Sequence, residues 1–144
     1  MPTLYEELIY HKFEIIKQII YDIRYLKIKV EGDSMKPTIL SNDKVLINYS
    51  SVENLKVDDI VLYVEMKEMK LHRIIEIISD EYLVKGDNED YRQVIRYSQI
   101  LGKLTNDIVI LSCSKKYTKM IENYKFEISI YNNEIIGIEV LLHG

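Results

Sequence analysis

The chain has 144 residues, of which 47% are hydrophobic and 29% charged, a length and composition typical of one globular domain and not of a disordered segment. Its formal net charge of -4 at pH 7 supplies no electrostatic footprint for a phosphate backbone, so nucleic acid is not an expected partner. One cysteine, Cys113, and three histidines offer no internal disulfide and no metal-ligand spacing, so we expect neither a metal nor a cofactor.

Residues 1–26 are predicted to form a helical N-terminal extension. Apolar side chains recur at helical spacing over residues 4–24, with charges of both signs between them. Because the polar face is not dominated by lysine, we expect this amphipathic helix to pack on the domain. An interfacial membrane helix or a partner-binding helix is the alternative.

The expected location is the cytoplasm. A secretory signal would need a charged start, an apolar run and a small-residue cleavage site, and the N-terminal sequence has no such pattern. The sequence has no uninterrupted run of about 18 apolar residues, which a membrane-spanning helix would require. Association with a membrane surface is left open.

Residues 27–144 are predicted to form one domain, and the whole chain is expected to be mainly β in the α+β class. Short apolar runs are separated by Gly, Asn, Asp and Ser without crossover helices, a pattern typical of a coiled antiparallel β-sheet or barrel. The predicted strands are residues 28–30, 44–47, 59–64, 69–78, 82–85, 100–104, 108–111, 126–131 and 135–142.

The C-terminal region allows two interpretations. Asn132 and Asn133 separate two apolar runs, and asparagine tolerates the positive φ that a hairpin turn requires. Residues 114–124 could equally form a short helix.

Ser34 is the first candidate for chemistry. Gly32, before Asp33 and Ser34, permits close backbone approach, and Pro37, after Met35, fixes its own φ and restricts the residue before it. Such a rigid segment could hold a serine in place. A plain turn with a surface serine would give the same pattern.

His72 is the candidate base for that serine, because a hydroxyl is a weak nucleophile until a neighbour takes its proton. On a strand, Lys70 and Ile74 would share the face of His72, while Leu71 and Arg73 would point the other way. Lys70 is the alternative base, since burial can lower a lysine pKa.

A group of acids follows the next predicted strand, in Lys85-Gly86-Asp87-Asn88-Glu89-Asp90. Gly, Asp and Asn are common in turns, so this segment could simply be a polar turn. A carboxylate here could also accept a hydrogen bond from the imidazole N–H and stabilise the imidazolium.

Five blocks in order resemble the signal-peptidase and LexA-type serine peptidase families over residues 30–103. They are Gly32-Asp33-Ser34-Met35-Lys36-Pro37-Thr38, Asn42-Asp43-Lys44-Val45-Leu46, Asp59-Ile60-Val61-Leu62-Tyr63, Leu71-His72-Arg73-Ile74-Ile75 and Lys85-Gly86-Asp87-Asn88.

The resemblance implies a Ser34-His72 pair of the endoplasmic-reticulum type, because the position before Arg73 holds His where bacterial signal peptidases and LexA-type repressors have Lys. It implies Asp87 as the third member, with Asp90 as a competing assignment. It also implies the Ser34 backbone N–H as an oxyanion donor. Gly32 cannot supply the side-chain hydroxyl that signal peptidases often add.

The expected function is a serine endopeptidase that cleaves a precursor or leader peptide through an acyl-enzyme. A catalytically weak or inactive peptide-binding module of the same fold is the alternative. A LexA-type autoproteolytic regulator is less favoured, because no Ala exists and no Cys precedes Ser34. The partner is thus a peptide or protein, and the oligomeric state is left open.

Overall fold

The structure is a computed structural model, and it describes residues 14, 17–18, 20–22, 25–49, 52–66, 68–105, 115–121, 124–131 and 134–143. Of the predicted N-terminal helix, residues 14, 17–18 and 20–22 are helical, and Ile20 among them is buried. The rest of that helix lies outside the described residues. The first strand begins at Tyr25, and the division of the chain at residue 26 stays a prediction.

The described chain is mostly β-strand, with two single-turn 3-10 helices, Val52–Asn54 and Tyr97–Gln99, between strands. The strands are β1 (Tyr25–Glu31), β2 (Lys44–Asn48), β3 (Ile60–Glu65), β4 (Glu68–Ile78), β5 (Glu81–Lys85), β6 (Arg92–Arg96), β7 (Ile100–Thr105), β8 (Lys115–Ile121), β9 (Tyr124–Tyr131) and β10 (Glu134–His143).

All ten strands belong to one sheet in the order β6-β5-β4-β3-β7-β2-β1-β10-β9-β8. Neighbouring strands are antiparallel except β1 and β10, which run parallel. The prediction of an antiparallel sheet is corrected at this pair, because β10 joins the free edge of β1 while running in the same direction. The barrel alternative is wrong, since β6 and β8 lie at opposite edges and the sheet is not closed.

Three other predictions concern the second half of the chain. The helix considered for residues 114–124 is wrong, because β8 occupies residues 115–121. β9 and β10 pair antiparallel on either side of Asn132 and Asn133, which themselves lie outside the described residues. The strand predicted at 108–111 and Cys113 also lie outside them. Sequence analysis missed β6.

Two apolar clusters pack on the two faces of the sheet, and β4 contributes to both because successive strand residues point to opposite faces. Met69 and Leu71 belong to the first cluster. Ile74 belongs to the second, with Tyr63 and other side chains of β3, β5 and β6. His72 shares the side of the second cluster, two residues from Ile74, as the strand pattern predicts.

The sheet coils so that its C-terminal strands cover the first cluster from the far side. Phe126 of β9 and Val140 of β10 pack in the same cluster as Leu71 of β4. The backbone N–H of Met69 donates to the Tyr124 hydroxyl at 2.8 Å. β4, the strand that carries His72, is therefore held on both faces.

Candidate active site

Ser34 lies in a loop that leaves β1 and returns to β2. Two backbone hydrogen bonds close the base of the loop: Val30 N donates to Asp43 O at 2.9 Å, and Asn42 N donates to Val30 O at 2.7 Å. Gly32 has a φ of 113°, a value that glycine adopts without strain. Ser34 itself is partly exposed, on a loop whose base these hydrogen bonds fix.

The residues around Ser34 hold this loop in different ways. Met35 is buried, with 2% of its surface exposed, and anchors the loop in the first cluster. Asp33 is exposed and pairs with Lys36 at 3.1 Å. Pro37 is exposed, and the Lys36–Pro37 peptide bond is cis.

The loop after β5 packs directly on the serine loop. Asn88 N donates to Ser34 O at 2.9 Å, Asn88 Nδ2 donates to Asp33 O at 3.1 Å, and Asp87 N donates to Met35 Sδ at 3.4 Å. Sequence blocks that are more than 50 residues apart thus meet.

Gly86 is the point at which the serine loop and His72 meet. A methyl group built on Gly86 would lie 2.7 Å from Ser34 O, 3.2 Å from His72 Nε2 and 3.3 Å from Glu89 Cδ. Only a residue without a side chain allows the three groups to approach so closely. No hydrogen bond joins the Ser34 hydroxyl to His72 among the interactions of the described residues. In enzymes without bound substrate, catalytic hydrogen bonds are often long or poorly aligned.

His72 lies opposite Val61 in the pairing of β4 with β3, and 13% of its side chain is exposed. Its Nδ1 is 2.9 Å from the Tyr63 hydroxyl oxygen. Burial lowers the pKa of His72, and this effect outweighs the opposing influence of the nearby Glu89 carboxylate. At neutral pH the imidazole is therefore uncharged, the form that can accept a proton.

Glu89 belongs to the acidic group that sequence analysis singled out, but the resemblance assigned Asp87 or Asp90, and not Glu89, to the histidine. Its Oε1 lies 3.9 Å from His72 Nε2, and 39% of its side chain is exposed. The hydrogen bond from Glu89 N to Gly86 O, at 3.0 Å, closes a turn that brings Glu89 back over Gly86. The Gly-Asp-Asn turn signal could have indicated this, because a residue three positions after the glycine faces it again.

Asp87, the residue that the resemblance assigns to the histidine, has its carboxylate on Arg73 instead. Arg73 Nε donates to Oδ1 at 2.9 Å and Arg73 Nη2 to Oδ2 at 2.8 Å, while the Thr38 hydroxyl also donates to Oδ2. These hydrogen bonds, Arg73 first, lower the pKa of Asp87. Asp87 therefore joins β4 to both loops. Asp90 is exposed.

Lys70 does share the side of His72, but it is engaged in an ion pair. Its Nζ donates to Glu65 Oε2 at 2.9 Å. Burial lowers the pKa of Lys70, but the Glu65 carboxylate more than reverses this, so the pKa lies above its ordinary value. Lys70 is thus charged at neutral pH and has no lone pair with which to accept a proton.

Tyr63, which sequence analysis did not place in the site, is a neighbour of His72 on the same face of the sheet, two positions after Val61 on β3. Its side chain is fully buried, and its hydroxyl donates to Gln93 Oε1 at 3.1 Å. Burial, followed by the charge of Glu65, raises the pKa of Tyr63. The hydroxyl therefore keeps its proton at any physiological pH.

The Ser34 backbone N–H, which the resemblance implies as an oxyanion donor, makes no hydrogen bond to another described residue. Elsewhere in the described ranges, no group of three or more His, Cys, Asp or Glu side chains is arranged to hold a metal ion. None of the described helical segments is long and apolar enough to cross a membrane.

The serine loop, the Gly-Asp-Asn loop and the strand that carries the buried His72 pack together on the coiled sheet. This arrangement is that of a serine-peptidase-like domain. The Peptidase S24-like family model matches residues 2–105, which include β1 to β7 and every residue of the candidate site. The chain belongs to the Peptidase S24-like family, and this supports its place in the clan of LexA and signal peptidases. No curated protein matches the chain.

Proposed function

We propose that the protein is a serine endopeptidase in which Ser34 is the nucleophile and His72 the general base. The observation that carries this proposal is the meeting of the Ser34 backbone and His72 Nε2 at Gly86. The lowered pKa of His72 supports it, because a neutral imidazole is the form the reaction needs.

In the first half of the reaction, His72 Nε2 takes the proton of the Ser34 hydroxyl as Oγ forms a bond to the peptide carbonyl carbon. The carbonyl oxygen becomes an oxyanion, to which the Ser34 backbone N–H can donate. The carbon–nitrogen bond then breaks, and His72 returns its proton to the leaving amine. Ser34 is left as an ester.

In the second half, His72 takes a proton from a water molecule, whose oxygen attacks the ester carbon. The carbon–oxygen bond to Ser34 breaks, the acid product leaves, and the serine regains its proton from His72. Glu89 stands beside His72 Nε2 and stabilises the imidazolium that exists during each half, since an opposite charge favours the protonated form.

Asp87 has a structural part in this proposal. Its carboxylate is held by Arg73 and Thr38, and its backbone N–H contacts Met35. We infer that Asp87 fixes the two loops against β4, while Glu89 stabilises the protonated imidazole. Asp90, exposed in the same turn, has no part in the proposed reaction.

The proposed substrate is a precursor or leader peptide, bound in an extended form beside the Ser34 segment. A proteome-derived peptide library tests this, because it samples many peptide sequences at once. Mass spectrometry should find new termini with the wild-type protein and none with Ser34→Ala or His72→Ala. Peptides retained by folded wild-type protein without any cleavage would instead favour a peptide-binding module.

A further inference from the structure

We propose that Tyr63 is a positioning residue that holds the proton of neutral His72 on Nδ1 and leaves Nε2 free to act as the base. This inference rests on the proposed function of His72. It concerns a chain of polar side chains behind the imidazole, formed by Lys70, Glu65, Gln93 and Tyr63.

The chemistry of each group fixes the direction of the hydrogen bonds along this chain. Lys70 can only donate, and it donates to Glu65 at 2.9 Å. The pKa of Glu65 is lowered, against the effect of burial, by Lys70 and then by Gln93. Since a carboxylate can only accept, Gln93 acts on it through its amide NH₂ group. The amide oxygen of Gln93 is thereby turned towards Tyr63, as the 3.1 Å contact requires.

Tyr63 has a single hydroxyl proton, and it is donated to Gln93. The lone pairs of the same oxygen face His72 Nδ1 at 2.9 Å. They can accept a hydrogen bond from Nδ1–H but cannot donate one back. The neutral imidazole is therefore held in the tautomer with its proton on Nδ1.

The location of the other ring nitrogen, Nε2, shows why this tautomer is the one that the reaction needs. Nε2 faces Gly86, where it meets the Ser34 segment. In the Nδ1–H tautomer, Nε2 has the lone pair that accepts the serine proton. In the other tautomer Nε2 would carry a proton and could not act as a base.

A tyrosine hydroxyl is uncharged, unlike the carboxylate that performs this task in a Ser-His-Asp triad. It orients the ring without stabilising the imidazolium to the same degree. In this site the two tasks are divided: Tyr63 sets the tautomer at Nδ1, and the Glu89 carboxylate lies 3.9 Å from Nε2. Asp87 is free for its contacts with Arg73.

The test combines ¹⁵N NMR of the histidine rings, recorded well above the pKa of His72, with the rate of Ser34 labelling by a fluorophosphonate. A His72→Gln variant identifies the His72 signals among those of the three histidines. The test variants are Tyr63→Phe, which removes the acceptor, and Gln93→Leu, which leaves the Tyr63 hydroxyl free to donate to Nδ1. Tyr82→Phe is the matched control, since Tyr82 is a buried tyrosine of the same apolar cluster.

We expect the Nδ1–H tautomer in the wild-type protein and in Tyr82→Phe. Tyr63→Phe should lose this preference, and Gln93→Leu should move the proton to Nε2. Labelling should fall about 10- to 100-fold in both test variants, less than the loss of the base itself would cause, and by less than about twofold in Tyr82→Phe.

An Nε2–H tautomer in the wild-type protein, or an unchanged tautomer in both test variants, would overturn the inference. The spectra do not depend on activity. Absence of Ser34 labelling in the wild-type protein would therefore contradict the proposed function alone and leave the tautomer result readable.

Discussion

Arg73 donates two parallel hydrogen bonds to Asp87, from Nε to Oδ1 at 2.9 Å and from Nη2 to Oδ2 at 2.8 Å. The two side chains are 26% and 16% exposed, so the pair is largely shielded from water. Such two-point pairing of a guanidinium with a carboxylate is directional as well as strong. It connects the strand that carries His72 to the loop that packs on Ser34.

Asp87→Asn is therefore expected to act mainly on stability. The variant loses one charge-assisted hydrogen bond and leaves Arg73 partly unpaired, which should lower the free energy of unfolding by about 1–3 kcal/mol. Urea denaturation measures this, with Asp90→Asn as the exposed control from the same turn. If Asp87→Asn matched the control in stability but altered the tautomer of His72, Asp87 would be the orienting acid after all.

Gly86→Ala should affect the chemistry beyond any effect on folding. The added methyl would meet Ser34 O at 2.7 Å and His72 Nε2 at 3.2 Å, so the serine loop and the imidazole would have to separate. We expect the labelling rate of folded protein to fall by at least about 100-fold, as misplacement by an ångström can do.

Gly102→Ala is the matched control for this substitution. Its methyl would meet Asn48 O at 2.6 Å and Ile47 Cγ2 at 2.7 Å, a comparable clash between β7 and β2 away from Ser34 and His72. It should lower the melting temperature but leave the labelling rate of the folded fraction near that of the wild type. Equal losses of rate per folded molecule in both variants would show that Gly86 has no special place in the site.

Glu89→Gln should move the pH dependence of the reaction. The Glu89 carboxylate raises the pKa of His72 against the larger lowering effect of burial. Its removal lowers this pKa further, so the neutral base persists to lower pH and the acid limb of the pH–rate profile shifts downward. A pH series of the Ser34 labelling rate measures the direction of this shift.

Asp90→Asn removes an adjacent carboxylate without contact to His72 and should leave that limb unchanged. The Glu89→Gln variant should also label more slowly at its optimum, because the imidazolium loses its charged neighbour. An acid limb that moves upward in Glu89→Gln would contradict the geometry of the site.

Lys70→Met tests the alternative base. Lys70 is held by Glu65 and its pKa is raised, so its removal should reduce labelling by less than about 10-fold, through loosening of the contacts behind Tyr63. His72→Ala should reduce labelling by at least about 100-fold, the usual worth of a general base. If labelling survived in His72→Ala and disappeared in Lys70→Met, Lys70 would be the base.

Much of the strand content was predictable because apolar runs bounded by turn residues indicate strands. β4 and β3 match their predicted ranges closely. β6 was missed because its sequence, Arg-Gln-Val-Ile-Arg, has only two apolar residues and no clear alternation. The parallel pairing of β1 with β10 joins segments more than 100 residues apart, and no local pattern carries that information.

The candidate site was predictable only in part, for a similar reason. Ser34 and His72 stand in recognisable sequence blocks, but the partners of the imidazole depend on strand register. Tyr63 follows Val61, the residue opposite His72, by two positions, so it is a diagonal neighbour on the same face. In the sequence it reads as one more core residue of an apolar strand.

The most direct test of the proposal is intact-mass analysis after reaction with a fluorophosphonate, with circular dichroism as the check on folding. We predict one adduct on Ser34 in the wild-type protein, none in Ser34→Ala and a rate lower by at least about 100-fold in His72→Ala. Well-folded wild-type protein that gains no adduct, or a His72→Ala variant that reacts at the wild-type rate, would contradict a serine-peptidase site built on Ser34 and His72.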